Sequence, residues 1–350
     1  MYGETQRSFL FRKKFLRLIN FKGYSKVGIV EFTLIGKYQP IGGVIIIQPP
    51  ILELVGLKKT IKKKEIIKGV DLTIGPAEIL GFLGPNGSGK TITIRMIVGL
   101  IKPTAGHVKI CGYSISHEFI KAMSNVGCII ESPEMYKFLS GQENLLHFAR
   151  MDKRITLPRV DEVVEIVGMK NRINDKVSTY SLGMRQRLGI AQALLCKPKL
   201  LILDEPTNGL DPSGISEFRN LIRKLAHEEK MAIFVSSHLL SEAQQMCDRV
   251  AIIKQGYIVK TVLVKDIVKT EVVEWQISDP AKAVLLLKEK WGIEARQENS
   301  NTVTAFIGEN RLEGINEVFV KAGIELKYSL PHQSTLEDLF LDVTEGDEIA

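Results

Sequence analysis

Short apolar runs recur between residues 49 and 265, and each has the length of one buried strand. Four of these runs end at turn residues and predict strands, at residues 78–83, 199–203, 231–235 and 250–253. Helical patterns lie between the first two runs, at residues 90–98, 143–151, 159–167 and 182–195. Strands interrupted by helices predict a mostly parallel sheet, so this region is expected to be an α/β body.

The segments on either side of this body have a different character. Residues 1–48 show no sustained period, which predicts a basic extension that is disordered or non-native. Residues 266–350 alternate strand-like and helical segments, at 271–277, 280–290, 302–307, 311–321 and 334–343. We expect a small separate C-terminal α/β domain there, and the chain therefore divides at about residues 48 and 265.

Composition excludes several classes of protein. No apolar run approaches the ~18 residues that a membrane span needs, and the basic start of the chain lacks the apolar core of a signal peptide. The four cysteines are far apart and form no CxxC pair, which argues against a zinc site or a disulfide framework. With 45% hydrophobic residues, the chain has enough apolar material for a packed core.

The net charge of +7 is unevenly distributed. Residues 1–48 contain eight Lys or Arg and two acids, so the rest of the chain is nearly neutral. The basic isoelectric point therefore gives no support for nucleic-acid binding by the body. A second cluster of five lysines within residues 58–64 is predicted to line a solvated hairpin.

A glycine-rich motif, which we call the phosphate loop, follows the first strand and opens a helix. It matches GxxxxGK[ST] and consists of Gly84, Pro85, Asn86, Gly87, Ser88, Gly89, Lys90 and Thr91. Successive backbone N–H groups and the helix N-terminus attract phosphate oxygens. Lys90 is expected to reach the β and γ phosphates of ATP, and the Thr91 hydroxyl to bind Mg²⁺. The alternative is a glycine-rich turn with an exposed lysine.

Two carboxylates end the second buried strand. Asp204 is expected to hold Mg²⁺, and Glu205 to act as general base toward the attacking water. Taken alone, such a pair is more often a solvated turn, but the phosphate loop upstream favours the catalytic interpretation. His238 follows the next strand and is predicted at the same sheet edge, where nucleotides bind in open α/β sheets. A satisfied core histidine is the alternative.

A further motif opens the helix at residues 182–195. Ser181 is a good N-cap, and Gly183 permits close backbone approach, although an ordinary cap would look the same. Together with the phosphate loop, the acidic strand end, Asp211 and His238, this motif makes residues 51–260 resemble an ATP-binding cassette (ABC) transporter ATPase. The resemblance implies a P-loop NTPase fold with an antiparallel N-terminal β-subdomain and a helical subdomain at about residues 132–197.

The family also implies a working arrangement. Two cassettes pair head-to-tail, so that ATP lies between one phosphate loop and the partner's signature, here Ser181 and Gly183, with Asp211 coupling the two sites. The partner cassette is expected to be a second copy of this chain. A separate membrane permease is the other expected partner, which places the protein at the cytoplasmic face of the membrane as a peripheral subunit.

The chain departs from the family pattern in three motifs. Leu182 and Met184 replace a glycine and a glutamine of the signature, and Ile61 takes the place of the aromatic residue that stacks on adenine. Glu131 occupies the position at which the family has a glutamine that binds Mg²⁺, in a loop that also contacts the transporter. The alternative is that Glu131 is a solvated acid in a surface loop.

These departures resemble the ATPases of bacitracin-type and lantibiotic-immunity exporters, and residues 334–344 resemble the closing helix of drug-exporter ATPases. The expected function is export of an antimicrobial peptide or a drug-like compound, with a role in antibiotic resistance. Alternatives are transport of another substrate, a soluble ABC ATPase acting on ribosomes or DNA, an unrelated phosphate-loop kinase, and a nucleotide-binding module without turnover. Glu205 argues against the last of these.

Overall fold

The structure is a computed structural model of the 350-residue chain. It describes residues 39–41, 44–46, 49–268, 271–307, 312–333, 335–337 and 339–340. Most of the predicted N-terminal extension therefore lies outside the described residues. No helix in these ranges is long and apolar enough to cross a membrane.

The strands are numbered in chain order. They are β1 (Gln39–Ile41), β2 (Val44–Ile46), β3 (Leu52–Ile61), β4 (Lys64–Ile74), β5 (Ile79–Leu83), β6 (Ala105–Ile110), β7 (Tyr113–Ser114), β8 (Val126–Ile129), β9 (Leu200–Asp204), β10 (Ala232–Ser237), β11 (Arg249–Lys254), β12 (Tyr257–Leu263), β13 (Glu271–Ile277), β14 (Ala295–Gln297), β15 (Thr302–Phe306) and β16 (Leu326–Gln333).

The helices follow the same convention. They are α1 (Lys90–Ile97), α2 (Phe119–Met123), α3 (Gly141–Ala149), α4 (Leu157–Ile166), α5 (Leu182–Leu194), α6 (Pro212–His227), α7 (Leu240–Met246), α8 (Val264–Val268), α9 (Pro280–Trp291) and α10 (Leu312–Lys321).

A six-stranded sheet forms the centre of the cassette. Its order is β12-β11-β5-β10-β9-β8, and every neighbouring pair is parallel except β11 with β12. All residues of β5, β9 and β10 are buried, because the sheet is covered on both faces. The prediction of a mostly parallel sheet is confirmed, and its parallel strands end at one common edge.

A four-stranded antiparallel sheet, β4-β3-β6-β7, packs against one face of the central sheet through a shared apolar cluster. The β3–β4 hairpin turns at Lys62 and Lys63, which both have positive φ, of 46° and 67°. Two such residues make a tight hairpin turn whose twist matches that of the strands. The lysine cluster therefore lies on a hairpin, as its sequence predicts.

The helical region lies between β8 and β9 and contains α3, α4 and α5. A capping box starts α3, in which the Ser140 hydroxyl accepts from Glu143 N and the Glu143 carboxylate accepts from Ser140 N. These helices share one apolar cluster with the other face of the central sheet. The signature helix α5 is thereby fixed to the sheet that carries the phosphate loop.

Residues 271–333 form a second α/β unit with the chain order β13-α9-β14-β15-α10-β16. Its sheet order is β14-β15-β13-β16 with all pairs antiparallel, which is the split βαβ arrangement of ferredoxin-like folds. Trp275 and Phe319 are fully buried in its own apolar cluster. This separate sheet and core support the proposed C-terminal domain. Of the predicted helix at 334–343, the described residues 336–337 and 339–340 are helical.

The buried indole gives a test of this unit. Trp275 packs edge-on against Phe319 and donates Nε1–H to Asn316 Oδ1 at 2.8 Å. We expect Trp275→Ala to destabilise the unit by about 3–5 kcal/mol, because it leaves a cavity and an unpaired amide. Amide hydrogen exchange should accelerate in residues 271–333, while β5 and β9 keep their protection. Leu330→Ala, on the exposed face, should leave exchange unchanged; equal effects of the two variants would contradict this account.

Candidate nucleotide-binding site

The phosphate loop connects β5 to α1 and is closed on one side and open on the other. Gly89 has φ 111°, and a Cβ there would lie 2.3 Å from Ile67 Cδ1, so the loop packs directly against β4. Gly87 has φ 79°, and a Cβ there would have no atom within 4 Å. The exposed residues Pro85, Asn86 and Gly87 line the open side, which leaves room for phosphate groups.

Neighbouring elements hold the loop in place. Gly256, in the β11–β12 turn, donates N–H to Ser88 O at 3.2 Å, and its own carbonyl accepts from Lys68 N at 2.9 Å. The Ser88 hydroxyl is buried and has no partner in the described part of the chain. Such an orphaned polar atom is costly unless a ligand meets it. The loop therefore fits the phosphate oxygens of ATP.

Lys90 begins α1 and is only 6% exposed. Its Nζ donates to Gly84 O at 2.8 Å and lies 3.2 Å from Glu205 Oε1. The ammonium group is thus held against the loop, where it could neutralise the negative charge of bound phosphates. A buried cation of this kind needs a paired anion, which Glu205 supplies.

Glu205 directly follows β9 and adopts a left-handed conformation with φ 48°. Its second oxygen, Oε2, lies 2.7 Å from His238 Nδ1. His238 follows β10, the strand next to β9, so both side chains project from the same sheet edge. The structure thus brings three predicted residues together: Lys90, Glu205 and His238.

Asp204 and Thr91, two of the predicted metal-binding residues, are chain neighbours of Glu205 and Lys90. Asp204 ends β9, is 3% exposed and accepts a hydrogen bond from Ser236 Oγ, and Thr91 lies half-buried in the first turn of α1. No group of three or more His, Cys, Asp or Glu side chains suited to a metal occurs in the described ranges. Two oxygen donors fit Mg²⁺, which typically shares its coordination with phosphates and water.

Glu131 is not part of this cluster. It follows β8, its side chain is 68% exposed, and its Oε1 lies 2.7 Å from Arg95 Nη2. Arg95 is in the last turn of α1, whereas Lys90 is in the first. Its assignment as a ligand of Mg²⁺ stays a prediction.

The predicted adenine platform lies at the tip of the β3–β4 hairpin. Ile61 ends β3 beside the lysine turn, pairs with Lys64 and is 37% exposed. It offers an apolar surface without an aromatic ring. Its assignment to adenine stays a prediction as well.

Ser181, Gly183 and Asp211 form a second group. Ser181 caps α5 by accepting from Met184 N at 3.2 Å, and Asp211 caps α6 by accepting from Gly214 N at 3.3 Å. Ser181, Gly183 and Asp211 all line a cleft of about 480 Å³, and none of its lining residues belongs to the phosphate loop. One chain therefore carries the signature and the phosphate loop in different places.

An ion pair fixes the two helices that flank this cleft. Arg187 of α5 contacts Glu217 Oε2 of α6 at 2.5 Å and donates to Val167 O at 3.2 Å. The ion pair thus links the helix that begins with the signature to the helix that Asp211 caps. Sequence reasoning had not singled out this pair, because its partners come from different helices.

Comparisons with known proteins agree with this geometry. Residues 67–208 match the family described as ABC transporter. The chain is 48% identical over 296 residues to the ABC transporter ATP-binding protein YhcH of Bacillus subtilis, which covers 84% of this chain and 96% of that protein. It is 40% identical over 304 residues to the bacitracin transport ATP-binding protein BcrA of Bacillus licheniformis, covering 85% of this chain and 99% of that one.

A solved structure described as the ATP-binding subunit of an ABC transporter superposes with a TM-score of 0.55 at 27% identity. The match covers 62% of this chain and 91% of that structure. Fold, site geometry and full-length relatives lead to one conclusion: the chain belongs to the ATP-binding proteins of ABC transporters and is an ATP-hydrolysing subunit that drives transport.

Proposed function

We propose that this ATPase drives export of an antimicrobial peptide, or a similar amphipathic compound, through a separate membrane permease. The observation that carries the proposal is the similarity, across nearly the full length of both proteins, to the bacitracin transport ATP-binding protein. The protein would then act at the cytoplasmic face of the membrane as a peripheral subunit. The permease would bind and transport the drug or peptide, and ATP-dependent dimerisation of this chain would drive the motion.

The proposed chemistry rests on the Glu205 carboxylate. Glu205 would accept the proton of the attacking water as general base, while Lys90 neutralises phosphate charge. His238 contacts Glu205 through Nδ1, so its Nε2 would be the ring nitrogen available to the γ-phosphate. Thr91 and Asp204 would hold Mg²⁺, which when bound neutralises developing charge on the phosphates.

The proposed partner cassette is a second copy of this chain. Because the signature cleft and the phosphate loop lie in different places on one chain, a head-to-tail pair related by a two-fold axis would place each signature over the partner's loop. Ser181 and Gly183 would then contact ATP that the partner holds. Asp211, at the start of α6, would couple the two ATP sites across the dimer interface.

Transport is tested in the assembled complex. Affinity-tagged protein should co-purify from membranes with a permease encoded beside it, and bacitracin should stimulate the ATPase activity of that complex in lipid vesicles. A complex that is stimulated by an unrelated substrate class, and not by amphipathic peptides, would contradict the proposed export function.

Glu205→Gln tests the general base. The amide keeps the shape of the side chain but cannot accept a proton, so hydrolysis should fall at least 100-fold, or about 2.7 kcal/mol, while ATP binding remains. The variant should form a dimer with ATP in size-exclusion chromatography. Glu229→Gln, at an exposed position, is the control. Turnover close to that of the unmodified protein would remove Glu205 from this role.

Ile61→Tyr tests the adenine platform. A stacked ring contributes on the order of 1 kcal/mol beyond its buried area, so ATP and GTP should both bind about fivefold more tightly. Calorimetry of nucleotide binding gives the answer, and Leu100→Tyr, at another exposed apolar position, is the control. Unchanged affinity in Ile61→Tyr would show that adenine lies elsewhere.

Glu131→Gln separates coupling from hydrolysis. Basal ATPase activity should stay within about threefold, or roughly 0.7 kcal/mol, because the exposed Glu131 side chain pairs with Arg95 and not with Lys90 or His238, the partners of Glu205. Transport by the complex should change, because the proposed role of Glu131 includes contact with the permease. Arg95→Gln breaks the same surface ion pair and is the matched variant. Identical behaviour of the two variants would show that Glu131 acts only through its ion pair with Arg95 and has no separate role in coupling.

A further inference from the structure

Ser236 connects the two acidic residues at the end of β9. It lies in β10 directly opposite Asp204 in the parallel register. Ser236 is fully buried, and Asp204 is 3% exposed. The Ser236 hydroxyl donates to Asp204 Oδ1 at 2.5 Å and accepts from Glu205 N at 2.9 Å. One hydroxyl therefore touches both the proposed metal-binding residue and the proposed general base.

The donated bond orients the Asp204 carboxylate. A hydroxyl has one proton, and here that proton is committed to Oδ1. The bond thus ties one oxygen of the Asp204 carboxylate to β10. Hydrogen bonds to charged groups are among the stronger ones, so this orientation is well defined.

The accepted bond stabilises an unfavourable backbone conformation. Glu205 has φ 48°, in the left-handed region that non-glycine residues rarely adopt. Its N–H points at the Ser236 hydroxyl at 2.9 Å and at the Ser236 carbonyl at 3.2 Å. This conformation places the Glu205 side chain between Lys90 and His238.

We propose that Ser236 is a positioning residue for ATP hydrolysis, which orients Asp204 for Mg²⁺ and holds Glu205 in its catalytic conformation. The inference rests on the roles proposed above for those two acids. Ser236 acts through them and does not itself need to touch the nucleotide. Because Glu205 N can still donate to the backbone carbonyl of residue 236, loss of the hydroxyl alone leaves the strand end paired.

Ser236→Ala in the full chain is the first variant, with Ser237→Ala as matched control. Ser237 is buried in the same strand, but its hydroxyl accepts from Leu239 N and contacts neither acid. We expect Ser236→Ala to lower kcat about tenfold, which is about 1.4 kcal/mol of barrier, with KM for ATP changed less than threefold. The Mg²⁺ concentration for half-maximal activity should rise several-fold, and Ser237→Ala should stay within about twofold on every measure.

A binding measurement gives a readout besides activity. The affinity of a fluorescent ATP analogue is measured with Mg²⁺ and with EDTA, and the ratio of the two should shrink in Ser236→Ala but not in Ser237→Ala. Ser236→Thr keeps the hydroxyl and should restore both kcat and the Mg²⁺ dependence. If the added methyl of Thr lowers the melting temperature, the comparison of the two Ala variants still decides the matter.

Asp204→Asn and Glu205→Gln separate this inference from the proposed site. If both abolish hydrolysis while Ser236→Ala keeps kcat within twofold and an unchanged Mg²⁺ dependence, Ser236 has no positioning role although the site assignment holds. Equal losses in Ser236→Ala and Ser237→Ala that follow a common fall in melting temperature would also overturn the inference. If Glu205→Gln retains turnover, the site assignment fails instead.

Discussion

The Glu205 carboxylate, held between the Lys90 ammonium and the His238 ring, is the interaction on which the site depends. Its two oxygens contact Lys90 Nζ at 3.2 Å and His238 Nδ1 at 2.7 Å. A buried lysine without such a partner would be costly, and the carboxylate therefore compensates the charge that the phosphate loop requires. This arrangement exists only because β5, β10 and β9 are adjacent and parallel, with their carboxyl ends at one edge.

The separation of two functional surfaces follows from the same sheet. Helices α1 and α6 start at its carboxyl edge, but the signature begins α5, which belongs to the helical region. A rigid chain cannot bring its own signature onto its own phosphate loop when the two line different places. The proposed pairing with a second chain would bring a signature onto each phosphate loop, and the Arg187–Glu217 ion pair links the two helices of the contributing surface.

The C-terminal unit adds a split βαβ fold with its own apolar core to this ATPase. It is followed by a segment that returns to the cassette, where Leu336 N donates to Gln244 Oε1 of α7 at 2.8 Å and Leu336 is fully buried. Helix α7 comes directly after His238. The chain is thus attached to the cassette both before and after the C-terminal unit.

The sequence by itself determined the buried parallel strands at the nucleotide site, the motifs and the family. Buried parallel strands are short apolar runs, so β5, β9, β10 and β11 lie within two residues of their predicted limits. The tertiary structure alone decided which residues meet. Sheet order β11-β5-β10-β9 differs from chain order, and such long-range pairing depends on burying both sheet faces and not on any local pattern. The bonds of Ser236, and the pairing of Glu131 with Arg95, were for this reason invisible in the sequence.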